Sequence, residues 1–469
     1  MLMKRICALS ICVMSVLCSD ALEVSVEAGG LHALIGNPSG VKDLVLSGSI
    51  DASDFFYIER CMPELTSLDL SGVAIKEYNG SSLGGRTHYD GSMIPAAVFA
   101  GSALRSVVLP QGCTVGDFAF SGSSIEELTL PAGVVVGCGA FSRCTDLASV
   151  LLSGSATLSR GAFEACSNLA SVDGSEWLEN IPQRAFDGCS SLRKFTFGSA
   201  LHSIGEGAFS ASGMVEADMS ACSVLDSIGA WAFAGNSDLV SVNLPAAVRY
   251  VGDGAFFECT SLKKVPLSAG MTSISGFAFK DVGSAAGTWD IPEGIASIGP
   301  FALMGGGASE VRLPSSLESI GTGAMESMSS LGYIDATALS SVPAVGNDVW
   351  AGVEQGRVVL SVDPVLHEEY ASTPQWCDFD IQSTSTTVAA VEDVKNIRAA
   401  FDGYIMIVES IGADIASVNV HDVSGRLLMS VDGHGSARIS ADTSAFTGPV
   451  FIIECILSDG TCGKVKILR

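Results

Sequence analysis

The chain has 469 residues, with 51 acidic against 25 basic side chains and a formal net charge of −26 at pH 7. This acidic balance disfavours nucleic acids and anionic membranes as partners. With 48% hydrophobic residues, 16% charged residues and 52 glycines, the composition excludes an extensively disordered chain and suits a long fold rich in turns.

Residues 1–21 have the pattern of a secretory signal peptide. Two basic residues give the charged start, residues 6–17 give an apolar run, and Ser19 and Ala21 are small residues placed for a cut after Ala21. The apolar run is too short to span a bilayer, so we expect no transmembrane segment in the mature chain. A lipoprotein signal that uses Cys18 is the alternative.

Residues 22–93 are predicted to form an N-terminal cap and the first leucine-rich strands, around Leu44 and Leu68. Between these strands, residues 54–61 have the apolar spacing of a helix, and Ser53 is its predicted N-cap. Residues 79–92 are rich in glycine and serine and are predicted to be an exposed loop.

Residues 94–356 repeat one pattern, in which an aliphatic strand segment is followed by Gly-x-x-Ala-Phe. The aligned large apolar residues follow each other at steps of 21 to 25 residues, and they are Phe99, Phe120, Phe141, Phe163, Phe186, Phe209, Phe233, Phe256, Phe279, Leu303, Met325 and Trp350. This period predicts a β-rich leucine-rich-repeat solenoid of about twelve coils.

The unit at residues 239–256 shows the physical logic of the repeat. Leu239, Val242 and Leu244 place apolar side chains on the inner side of a short strand, while the residues between them face outwards. Phe256 fills the interior. A single unit cannot hide this apolar side, so stacking and two caps are required.

Fourteen cysteines occur, and eleven of them lie after the signal peptide. Four occupy one repeat position, three residues before a leucine, and they are Cys144, Cys166, Cys189 and Cys259. We interpret them as small buried residues. Because no Cys-x-x-Cys pair is present, metal binding is not expected.

Residues 357–387 are predicted to be a C-terminal cap and linker, with a strand, a helix that starts at Asp363 and Pro364, and Trp376 covering the last coil. Residues 388–469 alternate short strands with turns, which predicts a small antiparallel β-sandwich. Asp459 and Gly460 mark the hairpin between the last two strands.

Two resemblances follow from these motifs. The repeats, with units such as Ile-Gly-Glu-Gly-Ala-Phe at 204–209 and Cys-Thr-Ser-Leu at 259–262, resemble BspA-like leucine-rich-repeat surface antigens over most of residues 41–382. That resemblance implies a secreted or surface protein that adheres to host proteins or to other microbes.

The tail is similar to the type A C-terminal sorting domain of type IX secretion in Bacteroidota. The matching segments are Val-Asn-Val-His-Asp at 418–422, Gly-Arg at 425–426 and Lys-Val-Lys-Ile-Leu at 464–468. This resemblance implies export through secretion machinery. The chain has Gly-Pro-Val-Phe at 448–451 where the family usually has Gly-Val-Tyr.

Motifs for catalysis are missing. His367 and Glu368 match the start of the zinc motif His-Glu-x-x-His, but Ala371 stands at the second histidine position. Acidic residues are spread by the repeat and are not gathered into a pair suited to acid–base chemistry. We therefore predict no enzyme activity, no cofactor and no metal site.

The outward strand positions predict the binding face. Two rows of such positions run from Ser106 to Asp335 and hold seven acids, Glu127, Asp173, Glu216, Asp218, Asp290, Glu310 and Asp335, against three bases. We expect an extended basic segment of an extracellular protein, with host matrix among the sources, to contact Glu216, Asp218, Asp290 and Glu310.

The favoured function is therefore a secreted or surface-displayed adhesin that binds a host or microbial macromolecule. The sequence leaves two other functions open. One is a structural spacer or envelope-assembly protein without a specific ligand, and the other is an enzyme or a carrier of glycan chemistry.

Overall fold

The computed structural model describes residues 21–263, 265–283, 287–383, 397–402, 405–410, 414–422, 426–443, 445–446, 450–459 and 462–468. The predicted signal peptide, apart from Ala21, and most of the predicted linker lie outside these residues. The chain divides into two compact units. The first comprises Met1–Ala308, Ser319–Ser330 and Ala344–Val353, and the second comprises Ser309–Glu318, Leu331–Pro343 and Glu354–Arg469. The domain boundaries expected at residues 93, 356 and 387 stay predictions.

The first unit is a solenoid of stacked coils with two parallel ladders of strands. The first ladder begins as a seven-stranded parallel sheet with the order Leu22–Val26, Asp43–Ile50, Ser67–Ile75, Ser106–Val108, Glu127–Leu130, Ser149–Leu152 and Ser171–Asp173. Further along, Glu216–Asp218 pairs in parallel with Ser241–Asn243, and Thr288–Asp290 follows. Inward and outward side chains alternate because the period of a strand is two residues.

The second ladder consists of two-residue strands in three parallel groups. In spatial order they are Met93–Ile94, Thr114–Val115, Val135–Val136 and Thr157–Leu158; then Asn180–Ile181, Ser203–Ile204, Ser227–Ile228 and Tyr250–Val251; then Ser273–Ile274, Ser297–Ile298, Ser319–Ile320 and Ala344–Val345. The second residue of nearly every one of these strands is buried. The β-solenoid predicted from the 21 to 25-residue period is confirmed.

A column of stacked phenylalanine rings runs through the first unit. From Phe99 to Phe279, successive rings lie 5.3–5.6 Å apart between centroids, and their planes differ by 24° or less. The backbone stacks in the same way, since the N–H of Phe256 donates to the carbonyl oxygen of Ala278 in the next coil at 2.8 Å. Each ring therefore loses its contact with water only because its neighbours are in place.

One position in each coil requires left-handed backbone, and large side chains there constrain the next coil. Phe118 has φ of 56° and Trp231 has φ of 58°. Trp231 lies over Gly254, where a Cβ would come within 2.5 Å of the indole ring. Phe118 lies over Gly139 in the same way. At these two places the ring occupies the space that a Cβ of the next coil would need, so glycine is required there. Phe277 and Phe301 occupy the same position in successive coils, and their rings stack 5.1 Å apart instead.

The cysteine column has a structural role in the turns. The Sγ of Cys259 donates to the carbonyl oxygen of Phe233 at 3.2 Å, and Cys189 does the same to Phe163 at 3.1 Å. Asn236 replaces cysteine in this column. Its amide nitrogen donates to two backbone carbonyl oxygens, and its oxygen accepts two hydrogen bonds, so this buried side chain is satisfied on every side.

The N-terminal cap contains the helices Leu31–Leu34 and Ala52–Cys61 and the short 3₁₀ helix Pro38–Gly40. The predicted N-cap Ser53 is wrong, because Asp51 caps the second helix and Asp54 completes a capping box. Asp54 is only 1% exposed, and its carboxylate accepts the backbone N–H groups of Gly29, Leu31 and Asp51 at 2.7–3.0 Å. These hydrogen bonds join the first strand segment to the cap helix.

The predicted loop at residues 79–92 forms an antiparallel hairpin instead, with strands Tyr78–Leu83 and Arg86–Tyr89. Gly84 and Gly85 both have positive φ, which allows the tight turn between the strands. Tyr89 anchors the hairpin: its ring lies 5.9 Å from that of Phe56. Most other side chains of the hairpin are exposed, so only the backbone departs from the prediction.

The second unit contains a run of four parallel strands, Glu310–Arg312, Tyr333–Ala336, Val359–Val362 and Asp380–Ser383. Its helical segments are Gln355–Arg357, Pro364–Leu366 and His367–Ser372, of which the last is α-helical. Asp363 caps the segment Pro364–Leu366 as expected, since its carboxylate accepts the N–H of Val365 at 2.8 Å. Trp376 is fully buried and donates to the carbonyl oxygen of Pro343 at 3.2 Å.

The C-terminal part of the second unit has two antiparallel sheets. One has the order Ile397–Asp402, Ile405–Ser410 and Arg438–Asp442, and the other has the order Leu427–Ser436, Ile415–His421, Val450–Leu457 and Cys462–Leu468. Side chains of both sheets share one core, for example Val408, Ile439, Val418 and Ile453. The antiparallel arrangement is confirmed, and the last hairpin pairs Ile456 with Cys462.

Replacing Phe256 with alanine tests the ring column. We expect the free energy of unfolding to fall by about 3–5 kcal/mol, because the cavity lies between two stacked rings. Tyr250 belongs to the same coil but is 52% exposed, so Tyr250→Ala should cost about 0.5 kcal/mol or less. Urea denaturation measures both variants. If both variants lost the same free energy of unfolding, the stacked rings would not be the source of the stability.

Asn236→Ala tests the turn column. We expect a loss of about 3 kcal/mol, because buried backbone groups lose their partners, and about 1 kcal/mol for Cys259→Ala. Asn236→Cys should lie between the two, since cysteine serves this position in other coils. The same denaturation measurement applies, and an Asn236→Ala variant as stable as wild type would refute the assigned role.

Candidate functional site

The outward rows of the first ladder form an exposed strand face in the first unit. In the seven-stranded sheet, Glu127 and Thr129 are exposed on one strand, and Leu151 and Asp173 are exposed on the two strands that follow. The side chains between them, such as Leu128, are buried. The face therefore mixes small polar, aliphatic and acidic side chains.

Glu216 and Asp218 lie on one strand of this face and are both exposed. Asp218 stands opposite Asn243 in the neighbouring strand. Its carboxylate accepts the N–H of Ser220 at 3.1 Å. Hydrogen bonds from Ser220, followed by Asn243, lower the pKa of Asp218, so this carboxylate keeps its charge in mildly acidic solution.

Asp218 belongs to a structural pattern that the sequence reasoning missed. The carboxylate of Asp69 accepts the N–H of Ser71 at 2.8 Å, and that of Asp335 accepts the N–H of Thr337 at 3.0 Å. Each of these carboxylates accepts the N–H of the residue two positions later, which is the hydrogen bond of an Asx turn. The recurring Asp-x-Ser/Thr pattern indicates that part of the acidity of the outward row serves the fold.

Asp290 lines a groove of about 450 Å3 on the strand face, together with Asn243 and Thr288. The groove opens where the described part of residues 263–268 forms no strand. Pro266 has no N–H to donate to a ladder, and the N–H of Leu267 turns back to the carbonyl oxygen of Val265 at 3.1 Å. A proline at a strand position was the sequence signal for this groove.

Glu310 belongs to the second unit, whereas Glu216, Asp218 and Asp290 belong to the first. Its carboxylate is 2.9 Å from the Nε of Arg312 on the same strand. The ion pair is partly exposed, but it offsets the charge of Glu310 locally. The structure thus places Glu216 and Asp218 on one strand and Asp290 at the groove, whereas Glu310 forms an ion pair with Arg312.

Cys189 and Cys259 of the cysteine column are buried thiols with low reactivity. Burial raises the pKa of Cys189 to about 12 and that of Cys259 to about 12. The thiolate is the nucleophilic form, so these side chains stay protonated near neutral pH. Among the described residues, no group of three histidine, cysteine or acidic side chains is placed to hold a metal ion.

No helix in the described part of the chain is long and apolar enough to cross a membrane. The His367 side chain lies in the short helix His367–Ser372 beside Glu368, where the sequence showed an incomplete zinc motif. Tyr370 of this helix is buried, and burial raises the pKa of its hydroxyl. The helix therefore contributes an anchor for the C-terminal cap.

Solved bacterial structures match much of this chain. A leucine-rich repeat protein from Bacteroides ovatus ATCC 8483 has a TM-score of 0.55 and 20% sequence identity, and the match covers 77% of this chain and 88% of that chain. The pneumococcal vaccine antigen PcpA has a TM-score of 0.33 and 15% identity, and the match covers 77% of this chain and 84% of that chain. A search of curated protein sequences found no significant match.

The family comparison concerns the repeats themselves. The model of the BspA type leucine rich repeat region matches six copies, over residues 92–216 and 226–354. These residues include the phenylalanine column, the second ladder, the strands of the first ladder from Ser106–Val108 to Ser171–Asp173, and most of the groove at Asp290. The matched residues make up more than half of the 469-residue chain. The protein therefore belongs to the BspA-type leucine-rich-repeat family.

Proposed function

We propose that this protein is a secreted or surface-displayed adhesin that binds an extended basic segment of an extracellular protein. Proteins with BspA-type repeats are typically surface proteins that take part in protein interactions. The observation that carries the proposal is the groove at Asp290, which lies at one of the interruptions of the first ladder in the first unit.

The chemistry of the face favours a basic partner. Glu216 and Asp218 are exposed one strand before Asn243, and Asn243 and Asp290 line the groove. An extended segment with lysine or arginine could place its cations against these carboxylates and its backbone in the groove. Such charge complementarity mainly raises association rates and selects partners, and salt weakens it.

Asp218 is less suited to substitution than the sequence indicated. Its carboxylate holds the N–H of Ser220, so a lysine at this position would remove a turn as well as a charge. Glu310 belongs to the second unit and pairs with Arg312. Glu216 and Asp290 are therefore the acids whose replacement reports most directly on binding.

The double variant Glu216→Lys and Asp290→Lys should bind basic extended peptides at least tenfold more weakly than wild type, because two attractive charges become repulsive. The control Asp253→Lys and Glu258→Lys changes the same charge at exposed acids of the first unit outside the strand face. Surface plasmon resonance with lysine-rich and glutamate-rich peptides, and with matrix proteins, measures binding. Thermal melting monitors folding.

Wild-type binding should weaken as salt rises beyond about 0.15 M, where the Debye length is about 8 Å. If both double variants lost the same binding affinity, the effect would come from net charge and not from the proposed face. If wild type binds none of these probes, a structural spacer without a specific ligand becomes the better description.

We further propose that residues 1–21 direct export and that residues 388–469 act as a sorting domain. Deleting residues 388–469 should retain the protein in the periplasm of a host that has type IX secretion. Fractionation and antibody labelling of intact cells measure this. The deletion should leave the repeats folded, which circular dichroism of the purified variant checks. Undiminished surface display of the truncated protein would show that the tail is no sorting signal.

A further inference from the structure

The second ladder has a gap in the first unit, and a tryptophan lies at the gap. Thr157–Leu158 ends the first group of strands, and Asn180–Ile181 begins the second group. A groove of about 200 Å3 lies here, which we name the Trp177 groove; its lining residues are Gly133, Ser155, Thr157, Trp177, Glu179 and Asn180, with Ala156 and Leu158.

The turn that carries Trp177 is held in place by specific contacts. Ser175–Trp177 forms a 3₁₀ helix that follows Gly174, whose φ is 78°. The buried hydroxyl of Ser175 donates to the carbonyl oxygen of Thr196 at 2.9 Å and accepts its N–H at 3.3 Å. A Cβ on Gly198 would collide with the carbonyl oxygen of Glu176. The next coil is thus shaped to accept this turn.

These contacts project an aromatic ring into solvent. Trp177 is 57% exposed, whereas Trp289, Trp350 and Trp376 are buried. The flanking Leu178 is buried, so the turn is anchored beside the exposed ring. An indole offers a flat apolar face and an N–H donor at its edge, a combination that is common at binding sites.

The polar lining of the groove defines the chemistry of a ligand. Glu179, Asn180, Thr157 and Ser155 are exposed, and they supply carboxylate, amide and hydroxyl groups beside the ring. Of the described residues that line the groove, Glu179 carries the only charge. An anionic ligand would meet that carboxylate without a compensating cation, so phosphorylated, sulfated and uronic-acid ligands are disfavoured.

We propose that the Trp177 groove binds a neutral saccharide. The apolar C–H face of a pyranose ring would stack on the indole, and its hydroxyls would exchange hydrogen bonds with Glu179, Asn180 and Thr157. The groove is smaller than the roughly 300–1,000 Å3 of sites that enclose drug-sized ligands. It therefore takes a single sugar ring of a longer glycan, whose neighbouring units stay in solvent.

The groove differs from the protein-binding face in place and in chemistry. It lies on the second ladder, while Asp290 lines the groove of the first ladder. A peptide segment would gain little from the Trp177 groove beyond contact with one ring, whereas a ring of hydroxyls matches its mixture of acceptors and donors. Adhesion to a glycosylated partner would use both sites.

A glycan array of neutral, acidic and amino-sugar oligosaccharides tests the proposal with the full chain. We expect wild type to bind neutral oligosaccharides and Trp177→Ala to bind them at least tenfold more weakly. Trp231→Ala is the matched control, since this tryptophan is also exposed, at 40%, but lies elsewhere on the first unit. Glu179→Gln keeps the shape of the side chain and should weaken binding severalfold.

Thermal melting should give the same midpoint for wild type, Trp177→Ala and Glu179→Gln, because both side chains are exposed. The double variant Glu216→Lys and Asp290→Lys should bind the oligosaccharides as wild type does, which separates this site from the proposed peptide site. No neutral oligosaccharide bound by wild type, or equal binding by Trp177→Ala, would overturn the proposal. So would Trp177-dependent capture of an enzymatically deglycosylated protein.

Discussion

The stacking of Ala-Phe segments from coil to coil is the interaction on which the rest of the first unit depends. Each phenylalanine N–H donates to an alanine carbonyl oxygen of the next coil, and each ring inside the column contacts the rings before and after it. No coil can bury its ring alone, so stability is distributed along the stack and accumulates with each neighbour. The Ala-Phe pair recurs in the sequence because each coil needs the same contacts with its neighbours.

Regular stacking leaves little room for binding sites, and both proposed sites lie where the repeat changes. Pro266 removes a strand from the first ladder and opens the groove at Asp290. The Ser175–Trp177 turn accompanies the gap in the second ladder and exposes an indole. At both places the described groove walls come from strands and turns of neighbouring coils.

The acidic character of the chain serves more than one purpose. Asp54 and Asp218 accept backbone N–H groups and hold local structure, although both look like surface acids in the sequence. Glu310 pairs with Arg312. The number of acids along the outward rows therefore overstates the negative charge available to a partner. Of the four acids proposed to contact a basic segment, Glu216 and Asp290 are the two to which no such structural role is assigned.

The solenoid, the coil period, the buried phenylalanines and the antiparallel tail could be predicted from the sequence, because repeat spacing and two-residue alternation are local properties of the chain. Three features became evident only in three dimensions: Asp51, not Ser53, caps the helix, residues 78–89 form a hairpin, and Trp177 lies at a groove. The turn at Trp177 depends on a contact between coils, that of Ser175 with Thr196, which no local pattern encodes. The cap and the hairpin are local in sequence, but distant residues also hold them, since Asp54 accepts hydrogen bonds from Gly29 and Leu31, and Tyr89 packs against Phe56.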